Sequence, residues 1–207
     1  MLLDGDYDRY HIIINISIYT QMEKTRSIGL KKAYFGEVNP TGGMPEEMAQ
    51  LARTFKGSAS FTTEADSVVD IYCEEEPAAP VESVVSEPGL KQIKLNLLEW
   101  DDEVLVKIFG GTIDTVAEDV TIEGVTYSVK KYKAPRELVT INMAARVVSD
   151  YNVVIEIPNA QVTARFQWNL ARTDIAQIEI TAKALDPIGE KDGPYSVYKL
   201  GKPKAGA

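Results

Sequence analysis

The stretch LKQIKLNLLEWDDEVLVKIFGG, residues 90–111, changes its hydrophobic period halfway along. Between Ile93 and Leu97 every second residue is apolar, which predicts a half-buried strand. Beyond Trp100 the apolar residues follow helical spacing, and Gly110-Gly111 ends the run. The apolar residues that share this helical face are Val104, Leu105 and Ile108. The stretch therefore predicts a strand followed directly by one short helix.

The start of this helix carries the signals of a capped N-terminus. Asp101 is the predicted N-cap, and Asp102 and Glu103 place negative charge where the helix dipole favours it. Trp100 and Leu105 have the spacing of a hydrophobic staple across the cap. We therefore expect the helix to begin at a defined residue and to pack its apolar face against the neighbouring strands.

Strand signals dominate the rest of the chain, as runs of β-branched, aromatic or alternating residues. They occupy residues 30–38, 54–62, 67–75, 112–116, 120–122, 125–132, 137–148, 151–157, 161–170 and 175–185. A helix-forming composition recurs once, in PEEMAQLAR at residues 45–53. The pattern predicts a mainly β protein, built as a β-sandwich with one short flanking helix.

The charge of the chain is acidic and unevenly distributed. Over 207 residues the formal net charge is −9 and the pI is about 4.8, which argues against nonspecific binding to nucleic-acid phosphates. Between Glu64 and Glu87 lie eight acidic residues and no basic one. Such a run is usually a solvated face. The alternative interpretation is a surface that must not retain a polyanion.

Cysteine content and hydropathy bear on the compartment. Cys73 is the only cysteine, so we expect no internal disulfide and maturation in a reducing cytoplasm. No apolar run approaches the ~18 residues that span a bilayer, so we expect no membrane partner. Residues 1–27 are interpreted as an N-terminal extension or arm without signal-peptide features, in which HIIINISIY is an additional strand candidate. Met22 is an alternative start of the protein.

Catalytic and metal-binding patterns are sparse. His11 is the single histidine, which leaves no good Ser-His-Asp or Cys-His arrangement. No cluster has zinc spacing, no EF-hand loop occurs, and neither double glycine is followed by the Lys-Ser or Lys-Thr of a phosphate loop. A paired-carboxylate glycosidase stays open, because an acidic chain offers many pairs. We expect a protein that is not an enzyme and uses no metal or other cofactor.

Three segments, taken in order, resemble the major tail tube proteins of long-tailed bacteriophages. The first is FKGSASFTTEADSVVDIYCEEEPAAPVE, residues 55–82, with a strand, an acidic turn, a strand and a proline-bounded break. The second is the strand–helix–double-glycine segment at residues 90–111. The third, IPNAQVTARFQWNLARTDIAQIEITAKALDP at residues 157–187, resembles the closing hairpin of that family. The resemblance covers a domain at residues 28–187 and leaves residues 188–207 as a C-terminal tail.

The resemblance implies an assembly as well as a fold. The inner sheet of the β-sandwich would join those of neighbouring subunits into an oligomeric β-barrel ring, usually a hexamer. Rings would stack into a tube with other tail proteins, in a virion tail assembled in the cytoplasm of a bacterial host. DNA would pass through the bore without specific binding, which a negative wall favours. The candidate lumen-facing acidic residues are Glu64, Asp66, Glu74, Glu75, Glu76 and Glu82.

The loop at residues 39–56 is the candidate for contacts between stacked rings. Its first residues, NPTGG, are too rich in turn formers for a core, whereas the apolar residues that follow are unsuited to water. The candidate inter-ring residues are Met44, Met48, Leu51 and Phe55.

Two other classes of protein stay open. Another ring-forming virion or secretion-tube component, such as a tail terminator or a secretion-system tube subunit, would differ in whether its rings stack without limit. A monomeric carbohydrate-binding or adhesion sandwich would need exposed aromatic residues on one loop face. Trp100 and Trp168 are better explained as packing residues, one at the helix cap and the other in the alternating segment TARFQWNL.

Overall fold

The computed structural model describes residues 25–75, 77–189 and 192–201, and this part of the chain is mainly β. The candidate strand in residues 11–19, the alternative start at Met22, the basic tail at residues 202–207 and the acidic candidate Glu76 lie outside the described residues. The described elements are one helix, α1 (Asp102–Phe109), and the strands β1 (Lys32–Glu37), β2 (Ser60–Thr63), β3 (Ser67–Ile71), β4 (Glu82–Glu87), β5 (Lys91–Leu97), β6 (Thr112–Ile113), β7 (Glu118–Ile122), β8 (Val125–Val129), β9 (Tyr132–Lys133), β10 (Ile141–Val148), β11 (Val153–Gln167), β12 (Gln177–Ala184) and β13 (Ser196–Lys199).

Seven strands form one antiparallel sheet, which we call the main sheet. Its order is β1-β10-β11-β12-β5-β2, and β13 pairs with the first half of β11. Three two-stranded ribbons, β3–β4, β6–β9 and β7–β8, lie outside this sheet. No sheet closes into a barrel within the described residues.

One face of the main sheet supplies the core. Alternate residues of β5 and β12 pair on this face, with Leu95 opposite Ile180 and Leu97 opposite Ile178, and all four are at most 1% exposed. Full burial of one such aliphatic side chain contributes about 1.5–3 kcal/mol. The residues between them, such as Lys94 and Glu179, occupy the opposite face. The period-two pattern of the sequence therefore determines which face the chain buries.

The helix predicted after Trp100 is present at Asp102–Phe109. The Asp101 side chain accepts a 2.8 Å hydrogen bond from the Val104 backbone N–H, which caps the first turn. Gly110 and Gly111 follow in the left-handed region, with φ of 73° and 87°. At Gly111 a Cβ would also collide with the carbonyl oxygen of Lys133, so the sharp exit from the helix requires glycine.

Strand β11 runs without a break through Pro158, where the sequence predicts a corner between two strands. Met143 pairs with Ala160 but Ala145 pairs with Ile157, so β11 carries an extra residue opposite β10. This bulge accommodates proline, which has no N–H to donate to the ladder. The first half of β11 pairs with β13 and the second half with β12, so one strand connects two parts of the main sheet.

Three features of the described fold differ from the sequence-based expectations. The prediction of a helix at residues 45–53 is wrong. This segment is a loop, and in it Ala49 exchanges two backbone hydrogen bonds of 2.8 and 2.9 Å with Phe35 of β1. Strand β4 occupies a segment for which no strand is predicted. The main sheet also extends beyond the predicted domain end at residue 187, because β13 pairs with β11.

Candidate assembly surfaces

The ribbon β3–β4 projects its apolar side chains into solvent on both faces. Val68 pairs with Val85 on one face, and Val69 pairs with Val84 on the other. All four are between 44% and 56% exposed, and no residue of the ribbon belongs to the core cluster. An isolated two-stranded hairpin is marginally stable in water at best. The ribbon therefore has the properties of a surface that packs against a partner.

The acidic candidates gather on and around the same ribbon. Glu64 and Asp66 lie before β3, Glu74 and Glu75 follow β3, and Glu82 begins β4, and all five are exposed. Asp66 accepts a 2.6 Å hydrogen bond from the Gly89 N–H and lies 3.7 Å from Lys91 Nζ. Within the described part of the chain the other four carboxylates have no ion pair. We call residues 64–87 the acidic hairpin.

The loop at residues 38–59 folds back onto its own chain. Leu51 packs against the core, and Met48 lies over Gly36, where a Cβ on the glycine would meet Met48 Cγ at 3.2 Å. Met44 is also partly buried, whereas Phe55 is 39% exposed. The intramolecular packing accounts for much of the apolar character that suggested a ring-to-ring contact. Among the four candidates Phe55 offers the most exposed side chain.

The apolar residues predicted to pack α1 form its buried face. Val104, Leu105 and Ile108 are buried in the core, between 2% and 6% exposed. Partly buried Trp100 places its ring 5.6 Å from Phe166 and 6.2 Å from Trp168, measured between centroids, with both pairs edge to face.

Trp168 differs from its expected role as a strand packing residue. It lies just beyond the end of β11 and is 59% exposed. Phe166 beside it is 45% exposed and stacks on Phe109 at 5.0 Å. Leu170 extends the same exposed segment. The aromatic residues therefore form a partly exposed patch, which we call the aromatic patch.

A cleft of about 820 Å³ opens between the start of β1 and the loop that leads into β2. The apolar side chains that line it include Leu30, Phe61, Ile93, Val147 and Ile155. Four cationic side chains and a single carboxylate also line it: Lys31, Lys32, Arg53, Lys56 and Asp150. We call this cavity the basic cleft. It unites distant segments of the sequence, so no local motif could have revealed it.

A polar cluster joins three strands of the main sheet. Glu156 of β11 is 7% exposed and accepts hydrogen bonds from Arg146 Nε at 2.6 Å, Tyr198 Oη at 2.9 Å and Ser196 Oγ at 3.3 Å. Burial, and then the hydrogen bond to the Glu156 carboxylate, raises the pKa of Tyr198. Because the acceptor oxygens are satisfied by the protein itself, the cluster serves to hold β10, β11 and β13 together.

Two ion pairs, one of which has a largely buried carboxylate at Asp114, shift the pKa values of their members. The Lys133 ammonium donates to Asp114 at 2.5 Å and lowers the pKa of that carboxyl, chiefly through this hydrogen bond. The Arg53 guanidinium binds Glu99 with two 2.7 Å hydrogen bonds and lowers its pKa in the same way. Lys133 and Arg53 have correspondingly raised pKa values. The first pair connects the segment after β6 to β9, and the second connects two loops.

Comparison with protein-family models gives no match, and a search of curated proteins gives none either. In residues 25–75, 77–189 and 192–201, no group of three or more His, Cys, Asp or Glu side chains is placed to hold a metal ion. The single helix of that region is too short to cross a bilayer. The function therefore has to be argued from the acidic hairpin, the basic cleft and the aromatic patch.

Proposed function

We propose that the protein is a structural subunit of a bacteriophage tail, which assembles into stacked, hexameric rings and forms the conduit for DNA ejection. The observation that carries this proposal is the acidic hairpin, a ribbon with apolar side chains on both faces and no core of its own. Such a ribbon becomes stable when it packs on a partner, and many copies of one subunit supply that partner most directly.

The rest of the fold is compatible with ring formation. The main sheet has β2 at one edge and β1 at the other, where Phe35 already pairs with the loop residue Ala49, so neighbouring subunits would pair with β2 and with the part of β1 that Ala49 leaves uncovered. A closed ring of sheets covers such edges and converts the open sheet into an oligomeric barrel. Within each subunit, the main sheet would be one layer of the proposed β-sandwich. The second exposed ribbon, β7–β8, carries Val125 and Tyr127 into solvent and offers a surface for stacking rings.

The acidic character supports a role as a conduit. With a net charge of −9 and the basic-free interval at residues 64–87, the assembled wall would repel phosphates and leave DNA mobile. The carboxylates of the acidic hairpin have two possible places in such a tube, the wall of the bore and the contact between subunits. In both places they bind no nucleic acid.

A direct test is the mass and shape of the purified full-length protein. We expect size-exclusion chromatography with light scattering to show rings or longer particles whose fraction rises with concentration, and negative-stain microscopy to show tubes with a central channel. Closed rings that never stack would favour a tail terminator or a related ring protein. A monomer at millimolar concentration, with no tubes even after seeding with preformed virion tails, would refute the proposal.

The aromatic patch favours a second candidate function, a monomeric carbohydrate-binding or adhesion module. Exposed Phe166 and Trp168 provide the kind of apolar ring surface on which a sugar packs. The intrinsic fluorescence of Trp168 reports such binding directly. Saturable quenching by oligosaccharides, lost in Trp168→Ala and combined with a monomeric mass, would favour this function over the tube.

A further inference from the structure

We propose that the acidic hairpin of one subunit docks in the basic cleft of a second copy of the chain. This inference rests on the proposed self-assembly and identifies the two surfaces that meet. The contact joins two different regions of the protein, so it is heterologous and propagates from subunit to subunit until a ring closes.

The basic cleft has the composition of a protein-binding site. Its lining combines apolar side chains from β2, β5, β10 and β11 with Lys32 of β1 and residues of the nearby loops, so apolar and cationic side chains share one concavity. The rings of Phe61 and Tyr195 pack in a tilted arrangement with their centroids 5.3 Å apart, which joins the β2 side of the fold to the segment before β13. An apolar groove of this size gains free energy when a partner removes it from water.

The charges at the cleft determine which kind of partner segment it favours. Lys31, Lys32 and Lys56 are exposed and have no ion pair among the described residues, whereas Arg53 already binds Glu99. Asp150 is the single carboxylate in the described lining. The cleft is therefore positive on a chain whose overall charge is −9. It favours an acidic segment with apolar side chains.

The acidic hairpin matches this description. It has eight acidic residues and no basic residue in the interval 64–87. Its apolar residues point to both faces of the ribbon, so a concave cleft would cover more of them than a flat surface, which covers only one face. None of the described residues between 64 and 87 lines the cleft of its own chain. The hairpin that fills a cleft therefore comes from another subunit.

Two variants separate the donor surface from the acceptor surface. The donor variant Val69→Ser/Val84→Ser makes one face of the exposed hairpin polar, and the acceptor variant Lys31→Glu/Lys32→Glu reverses two charges at the cleft. All four positions are exposed, so both variants should fold with the circular dichroism of the parent. Lys107→Glu/Lys130→Glu is the matched control for the acceptor, because it changes the net charge equally at exposed positions outside the cleft.

Light scattering then gives a distinctive result. Each variant alone should remain monomeric at concentrations where the parent and the control form rings. An equimolar mixture should form dimers that grow no further, because only the intact hairpin of the acceptor variant and the intact cleft of the donor variant can meet. Adding Glu74→Lys/Glu75→Lys to the acceptor variant should restore rings in a single chain by exchanging the charges.

Other outcomes would overturn the inference. Parent-like rings from either variant, or a mixture that stays monomeric, would show that hairpin and cleft do not meet. If deletion of residues 1–24 abolished the rings while the donor variant still formed them, the occupant of the cleft would be segment 1–24 and not the hairpin. In each case the parent still forms rings and the proposed function stands. If the parent protein forms no rings, the proposed function itself is refuted.

Discussion

Tyr198 Oη, on the last described strand, donates a 2.9 Å hydrogen bond to Glu156 Oε1 in the middle of the main sheet. The same carboxylate binds Arg146, whose Nε lies 2.6 Å away. One buried acid thus ties β10 and β13 to the long strand between them. Several predictions of stability and assembly depend on contacts of this kind, in which a side chain joins segments far apart in the sequence.

Removing this carboxylate should destabilise the fold. In Glu156→Gln the Arg146 guanidinium loses its counter-ion, and we expect the free energy of unfolding to fall by about 2–3 kcal/mol. That cost is below the roughly 3–5 kcal/mol of a fully buried pair, because the Arg146 side chain is 32% exposed. Tyr198→Phe should cost about 1–2 kcal/mol. Because glutamine still offers Tyr198 an amide oxygen, the coupling energy is measured by urea unfolding of Glu156→Ala, Tyr198→Phe and their double variant, and additive losses would contradict the contact.

The α1 face should be sensitive to truncation. Leu105 is 6% exposed, and Leu105→Ala should lower the free energy of unfolding by roughly 2–5 kcal/mol through lost burial and the cavity left behind. Asp101→Ala should cost about 1 kcal/mol, because the Val104 N–H loses its acceptor. Lys107→Ala, on the exposed side of the helix, is the matched control and should have little effect. Equal melting temperatures for all three would contradict the packing of α1.

Acid stability should depend on Asp114. Its pKa is lower in the folded protein than in the unfolded chain, so the Lys133 contact stabilises the fold above the ordinary carboxyl pKa of about 4. This contribution is lost as pH falls through the lower folded value. Asp114→Asn should therefore reduce stability at neutral pH and flatten its pH dependence below about pH 4. Asp119→Asn, at an exposed position of β7, is the control in thermal melts from pH 2 to pH 7.

The assembled protein should not retain DNA. Phosphate binding requires clusters of Lys or Arg. We therefore expect no measurable co-sedimentation of double-stranded DNA with tubes at physiological salt. Retention that weakens steeply as salt rises would indicate a positive bore and contradict the conduit model.

The acidic hairpin also determines how assembly responds to salt. If it contacts a positive cleft, screening should weaken ring formation between low salt and about 1 M, where the Debye length falls to about 3 Å. If its carboxylates line the bore instead, mutual repulsion is screened and rings should become more stable. Ring fraction measured against sodium chloride concentration distinguishes the two places.

Local signals made the helix and most strands of the main sheet predictable. The Asp101 cap, the acidic first turn and the double glycine act within one short segment, so the sequence contains all that defines α1. The alternation in β5 and β12 likewise identifies their buried face without knowledge of their partners. These elements match the prediction because burial and local preference agree.

The missed features depend on tertiary contacts. PEEMAQLAR has helical composition, but the edge of β1 offers the backbone of Ala49 two hydrogen bonds that a helix would forgo. Strand β4 has no buried face, so its ESVVSE sequence shows no clear alternation of apolar and polar residues. The partners of Glu156 come from two other strands, and the lining of the basic cleft comes from five strands, so neither site has a signature that a window of sequence could contain.

The pairing of β13 with β11 has a consequence for biosynthesis. Strand β13 is synthesised after the other described strands of the main sheet, and until it emerges from the ribosome the Glu156 carboxylate lacks both hydroxyl donors. A nascent chain that already displays its hairpin thus still lacks an edge of the sheet that shapes the cleft. Polysomes crowd many such chains together, and the late arrival of β13 would delay their polymerisation until this strand has emerged from each ribosome.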